Sequence, residues 1–368
     1  MELPSRVADP ASAETRYGDR FRRLAPALWR EDPLGDAAAA AVRRDGAGAW
    51  EAALAGQATA GPLRELVDSV GALPSGWSPA AADRAGRLFF RTGPVGGLVL
   101  GARSLVAGYC SPAGNKPLTR TGALQRDGQR RLAETGRFVV EVHREGGMHP
   151  GAAGWAITLR VRMMHAMVRG LLHQGGAWDA ARWGAPLNQH DLLATALLFS
   201  VVWVDGVRLM GARVTAQEAE DHLHLWRWVG RVIGVEEALL PADVADGEAT
   251  AAMIFDTQGE PDDDARALVD ALLRPDPTKG RAPLGEGLCR ALMGDPTADA
   301  LGLRRTPWRH LPRCTRLALR PLESARRRSA RLERGLVSVG ERYWEAAIAA
   351  GLGADQARFT PPERLRSP

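Results

Sequence analysis

RRLAETGRFVVEVHREGGMHPGAAGWAITLRVRMMHAMVR, residues Arg130 to Arg169, is the stretch whose reading decides the fold. Apolar residues recur at helical spacing on either side of a glycine-rich break, Gly146 to Gly154, so the stretch reads as two helices joined by a loop long enough for antiparallel packing. On the second helix His165 has Arg162 three residues before it and Arg169 four after, which puts all three on one face. On the first, Arg131 and Thr135 stand four apart and share a face in the same way.

These residue types suit a haem. A histidine that ligates iron must be neutral and held in one orientation, and the two propionates of a haem need cations close by. Arginines one turn to either side of the ligand can supply both charges through forked hydrogen bonds. Val161, Val168 and Leu172 lie on the same side and can floor a porphyrin. A guanidinium and a hydroxyl displayed together, as at Arg131 and Thr135, suit a pocket that positions an oxygen-derived ligand. The plainer reading is a satisfied core histidine flanked by solvent-facing arginines, which is the commoner fate of a lone histidine on an apolar helix face. Spacing alone leaves the haem a candidate.

Outward from this stretch the chain reads as helical almost throughout. Patterns of 3.6-residue period run over Thr15 to Trp29, Pro33 to Arg43, Ala80 to Phe90, Gly128 to Arg144, Trp155 to His173, Gln189 to Met210 and Thr215 to Val232. Strand signals are scarce, because the apolar runs are rich in alanine and leucine rather than in β-branched residues. The longest apolar run, LLATALLFSVVWV from Leu192 to Val204, stops at Asp205, short of the ~20 residues a membrane span needs, and reads as a buried core helix. Arg103 in the middle of the apolar stretch from Gly93 to Cys110 argues for a second interior helix. Proline-bearing connectors near Pro241, Pro261 and Pro275 to Pro283 mark the one candidate boundary.

Composition narrows the classes. The positive balance comes from arginine, Lys116 and Lys279 being the only lysines, and the basic run RPLESARRRSARLERG lacks aromatic interleaving, so a nucleic-acid partner is not expected. The cysteines, Cys110, Cys289 and Cys314, form no C-x-x-C pair and no C-x-x-C-H attachment signal, so a haem would be held non-covalently and the thiols stay free. MELPSRVADP has no secretory pattern, and a cytoplasmic protein is expected. GGLVLGA, from Gly96 to Ala102, lacks the preceding strand and the lysine of a phosphate loop. His190 can cap its helix or reach the pocket, the cap being favoured, His173 reads as a structural residue in a last turn, and His222 and His224 as pointing to different faces. His143 and His149 carry no clear signal, and Asp262 to Asp264 read as the acidic first turn of a helix.

Three motifs together resemble the rubber oxygenase (latex clearing protein) and MpaB-type oxygenase family of all-helical b-type haem proteins. They are the R-x-x-x-T pair at Arg131 and Thr135, the V-R-x-x-H-A-x-V-R run from Val161 to Arg169, and W-G-A-P-L-N-Q from Trp183 to Gln189. The resemblance covers about residues 80 to 240, the last third matching only in helical character. It implies an all-α fold, a single large helical bundle enclosing a haem b pocket and globin-like in broad character. Residues 1–75 are then an N-terminal helical extension, 76–245 the haem-binding core and 246–368 helices packed upon it. It further implies that His165 is the proximal iron ligand, that Arg162 and Arg169 hold the propionates, and that Arg131 and Thr135 belong to the haem surroundings and carry catalysis. The implied activity is a haem-dependent oxidation of a hydrophobic, isoprenoid- or polyketide-like small molecule with dioxygen or peroxide, oxidative alkene cleavage included. A non-catalytic haem- or lipid-binding helical protein is the alternative. One departure bears on the choice. Rubber oxygenases are thought to use a glutamate ahead of the arginine and threonine pair as base, and CSPAGNKPLTRTGALQ, Cys110 to Gln125, contains no acid, the next being Asp127.

Overall fold

The computed structural model describes residues 2–57, 60–121, 123–274, 278 and 280–353, with side chains described outside 120–129. The two helices of the deciding stretch run over Ala123–His143 and Ala153–Gln174 and pack on each other. Their connection is glycine-rich for a steric reason. A Cβ on Gly147 or Gly154 would stand 2.2 or 2.5 Å from the Glu141 carbonyl oxygen, so only glycine lets the chain turn back this tightly. Trp155 then donates to the Val70 carbonyl at 2.9 Å and Trp228 to that of Met148 at 2.9 Å, fixing the turn to its neighbours.

Around this pair stand helices Pro33–Asp45, Pro79–Val99, Ala216–Ile233 and Ala330–Leu352. Among the described residues there is no strand, only an isolated antiparallel bridge between Val7 and Gln258. The fold is all-α. One apolar core runs from Ala38 to Trp344, and a second joins Phe21 and Leu24 to Leu192, Leu223 and Ile254. Each fully buried large side chain in them, Trp203, Trp228 and Phe89 among others, stabilises the fold by roughly 1.5–3 kcal/mol. Both cores therefore draw on the N-terminal 75 residues and on helices beyond residue 245. Pro275 and Pro277 of the candidate boundary lie outside the described residues.

Several periodic stretches are broken where the sequence suggests continuity. Thr15 to Trp29 is divided by Gly18, at φ +53, and ends in a 3₁₀ turn, Ala25–Trp29. Gln189 to Met210 is two helices, Gln189–Phe199 and Val201–Leu209, separated at Ser200, whose hydroxyl donates back to the Ala196 carbonyl at 2.9 Å. End to end they make an apolar 21-residue stretch of mean hydropathy 1.7, with 61% of the window buried inside the fold. Pro79–Val99 kinks at Gly93 and continues through a π-helical turn, Leu100–Leu105, into Val106–Tyr109. Arg103, on that turn, is held by the Asp205 carboxylate and the Leu292 carbonyl, which explains an arginine within an apolar run.

Candidate functional site

His165 opens onto a cavity enclosed by its own helix, by Gln189–Phe199, by Val106–Tyr109, by helix Val244–Thr257 and by the N-terminal arm. Counting the solvent at its mouth, the empty space is about 820 Å³. Leu187, Leu197, Leu198, Val202, Ile254 and Phe255 make its apolar wall, and Arg6, His190, Asp191 and Gln258 are polar members. Nδ1 of His165 is buried and has no hydrogen-bond partner, and among the described residues neither ring nitrogen is tied to a carbonyl, whereas His143 and His222 each hold one nitrogen on a backbone carbonyl. Burial, reinforced by the nearby charge of Arg169 and opposed by that of Asp32, pushes its pKa down to about 4. The ring is thus neutral near pH 7, the state an iron ligand requires. On these two observations the imidazole fits a ligand to haem iron.

The flanking arginines do not lie where the resemblance implies. Arg162 donates to both carboxylate oxygens of Asp32, at 2.7 and 2.8 Å, and Arg169 to Asp36 at 2.8 Å and the Leu187 carbonyl at 2.8 Å. The reason is the first turn of helix Pro33–Asp45, where Asp32 as N-cap and Asp36 one turn on supply two protein carboxylates. Burial would raise the Asp32 carboxyl, but Arg162 overrides it and holds the group below its usual range. Neither arginine lines the cavity, nor do Val161, Val168 and Leu172. Each charge meant for a propionate already faces an aspartate. Arg131 and Thr135 are also absent from the wall: Arg131 pairs with Glu134 at 3.0 Å, and the Thr135 hydroxyl donates to the Arg131 carbonyl at 2.9 Å, one turn back in its own helix.

In their place stands a buried relay that spacing does not reveal. Arg6, from the N-terminal arm, donates twice to Asp191, at 2.8 Å each, and once to Ser111 at 3.1 Å, and Asp191 in turn meets Nδ1 of His190 at 3.1 Å. Although burial would raise the Asp191 carboxyl, Arg6 and His190 together hold it well below the usual carboxylate range. Burial lowers the His190 pKa, against the pull of Asp191. His190 is not the helix cap. Asn188 is, accepting from the Asp191 amide at 3.0 Å, which leaves His190 to the cavity. W-G-A-P-L-N-Q is the turn that arranges this, and it sets Leu187 at φ +48, an uncommon conformation for leucine held by Arg169 on its carbonyl. Elsewhere His173 meets Glu31 at 2.8 Å, His224 accepts from the Ser78 amide, and His222 donates to the Phe199 carbonyl at 3.1 Å. Among the described residues no three His, Cys, Asp or Glu side chains converge as a metal site.

The family described as "ER-bound oxygenase mpaB/B'/Rubber oxygenase, catalytic domain" matches residues 91–322. The chain belongs to this family. A rubber oxygenase of Streptomyces sp. (strain K30) is 26% identical over 259 residues, 67% of this chain and 62% of that protein, so the chain spans less than two thirds of its relative. A latex clearing protein solved in the closed state superposes with a TM-score of 0.69 at 23% identity, covering 88% of this chain and 91% of that one, which shows the shared fold. The match to residue 322 runs well past the limit near 240 that the motifs suggest, so part of the last third belongs to the rubber oxygenase domain.

The acid-free stretch Cys110 to Gln125 holds buried Asn115, whose amide donates to the Tyr109 carbonyl at 3.2 Å and to Asp262 at 2.9 Å. An acid from the last third of the chain therefore does reach this place. It is not a free base: Lys116 pairs with Asp262 at 2.5 Å and with Asp264, and against burial these contacts hold the Asp262 carboxyl below its usual range. Asp262 also N-caps helix Asp263–Leu273, as the acidic cluster suggests, and does not line the His165 cavity. Asp127 lies among the residues whose side chains are not described.

Proposed function

We propose that this protein is a haem-dependent oxygenase of hydrophobic, isoprenoid-like molecules, in which His165 would hold the iron of a non-covalently bound haem b. The observation that carries the reading is the neutral imidazole with an unpartnered nitrogen at the edge of an apolar cavity, in a chain of the rubber oxygenase family. A bound haem would supply the activation of dioxygen or peroxide. The chain's own contribution is orientation and exclusion of water. Leu198, Val202, Ile254 and Phe255 give an apolar substrate a place from which water is displaced. Asp191, kept ionised by Arg6, fixes the proton of His190 on Nδ1 and leaves Nε2 as an acceptor in the same cavity. Arg131 and Thr135 have no part in this account, since neither reaches the cavity wall.

Oxygen uptake tests the reading. Haem-loaded protein is expected to consume oxygen with an apolar polyene such as squalene and to release carbonyl products seen by mass spectrometry. Protein that holds haem yet consumes no oxygen with any apolar alkene would be a carrier or sensor instead.

A further inference from the structure

Helix Leu311–Arg326, in sequence LPRCTRLALRPLESAR, divides its charges by direction. Its single acid, Glu323, is buried and pairs with Arg326 at 2.9 Å, and Arg326 reaches on to Glu333 at 2.7 Å, so the inward side is neutralised within the fold. The outward side is not. Arg313, Leu317, Arg320 and Ser324 recur at i, i+4, i+7 and i+11 and form one stripe, with Arg316 beside it and Arg327 and Arg328 in the turn that ends the helix. The five arginines are exposed, and none of them meets a carboxylate among the described residues. Arg316 donates to the Leu209 carbonyl at 3.0 Å, which ties the helix to the body of the protein.

Like charges three and four residues apart on a helix repel, so an anionic partner laid across this face relieves it. The apolar members decide which kind of anion. Leu317, at the middle of the stripe, is 71% exposed, the highest value of any large apolar side chain among the described residues. Of the six such side chains that stand exposed, Leu317, Trp308, Val339 and Leu284 lie on this helix or on elements packed against it, namely Pro307–His310, Ala330–Leu352 and Pro283–Met293. A nucleic acid or an acidic peptide would neutralise the arginines and leave Leu317 in water. The boundary between headgroups and acyl chains in an anionic bilayer satisfies both, with guanidiniums on phosphates and the leucine beneath them.

We propose that helix Leu311–Arg326 docks the protein, without crossing the bilayer, on membranes rich in anionic phospholipid, its arginines on the phosphates and Leu317 set into the acyl boundary. The assignment needs no haem and stands apart from the oxygenase reading.

Flotation of the purified full chain with vesicles tests this, one set made of phosphatidylcholine alone and one with about 30% phosphatidylglycerol. Binding should require the anionic lipid and fall steeply as salt screens the charges. Arg313→Gln with Arg320→Gln should weaken it about twentyfold, at about fivefold for each cation near the surface. Leu317→Ser should weaken it about tenfold with the charge unchanged. Arg16→Gln with Arg44→Gln removes as much charge, from arginines paired with Asp256 and Asp45, and should change binding less than about twofold. Cys314 supplies a local readout, because it is exposed on this helix while Cys110 and Cys289 are buried. An environment-sensitive dye on its thiol should brighten and shift to the blue with anionic vesicles. The proposal is overturned if both kinds of vesicle bind alike or neither binds, or if the dye stays silent on vesicles. It is equally overturned if the Arg16 and Arg44 double variant loses as much as the Arg313 and Arg320 one, or if Leu317→Ser keeps the parent affinity. Polyuridylate that displaces anionic vesicles and binds Leu317→Ser as tightly as the parent would give the face to nucleic acid instead.

Discussion

Asp32 holds one end of a buried ion pair and also caps a helix, donated to by the Gly35 amide at 3.1 Å. Asp32→Ala leaves the Arg162 guanidinium buried without a carboxylate, and breaking such a pair costs about 3–5 kcal/mol. Urea unfolding should show that loss, and an unchanged midpoint would mean Arg162 has another anchor. Arg162 and Arg169 are legible in the sequence as two cations needing two anions, which is how the structure uses them. Which anions they meet is not legible. Asp32 lies 130 residues away, and nothing in local spacing distinguishes a protein carboxylate from a propionate. His165 is legible for a different reason: the V-R-x-x-H-A run that carries the resemblance names it. Arg6 carries no local signal, because its partner Asp191 is 185 residues along the chain.

Helix Ala330–Leu352 lies along helix Pro79–Val99, and one glycine makes the approach possible. A Cβ on Gly340 would stand 1.6 Å from the Phe90 carbonyl oxygen, a clash with rigid backbone, whereas one on Gly335, in the same helix, would meet nothing within 4 Å. Gly340→Ala should therefore destabilise by about 1–3 kcal/mol or more as the helices are forced apart. Gly335→Ala should stabilise by about 0.5–1 kcal/mol through helix propensity alone. Thermal unfolding of the two variants checks both signs, and equal effects would place the helix elsewhere. Helix existence is legible from periodicity because each helix buries one apolar stripe. The breaks at Gly18 and Ser200 are not, since apolar spacing continues across them and the turning force comes from tertiary packing and from the Ser200 hydroxyl, whereas the kink at Gly93 falls between the stretches read at Ala80 to Phe90 and Gly93 to Cys110.

Across the whole molecule, four buried histidines resist protonation. Burial lowers His165 and His222 to about 4, lowers His143 well below its usual value with the help of His222, and lowers His190. The unfolded chain takes up these protons near pH 6.5, and the folded chain only further into acid. Their contribution to stability is complete well above pH 6.5 and is lost as the pH falls through 6.5 towards 4, by about 3 kcal/mol for each group shifted that far. Urea midpoints of apo-protein should thus be highest near pH 8 and decline as the pH falls through 6.5 towards 4, less steeply in His222→Gln. A midpoint that rises on acidification would contradict the neutral assignment. The same neutrality is what lets His165 serve iron. The absorption spectrum of purified protein supplied with haem tests that claim most directly: wild type should show a Soret band and His165→Ala, equally folded by circular dichroism, should lack it. A folded wild type that takes up no haem, or a His165→Ala variant that keeps the band, would contradict the account.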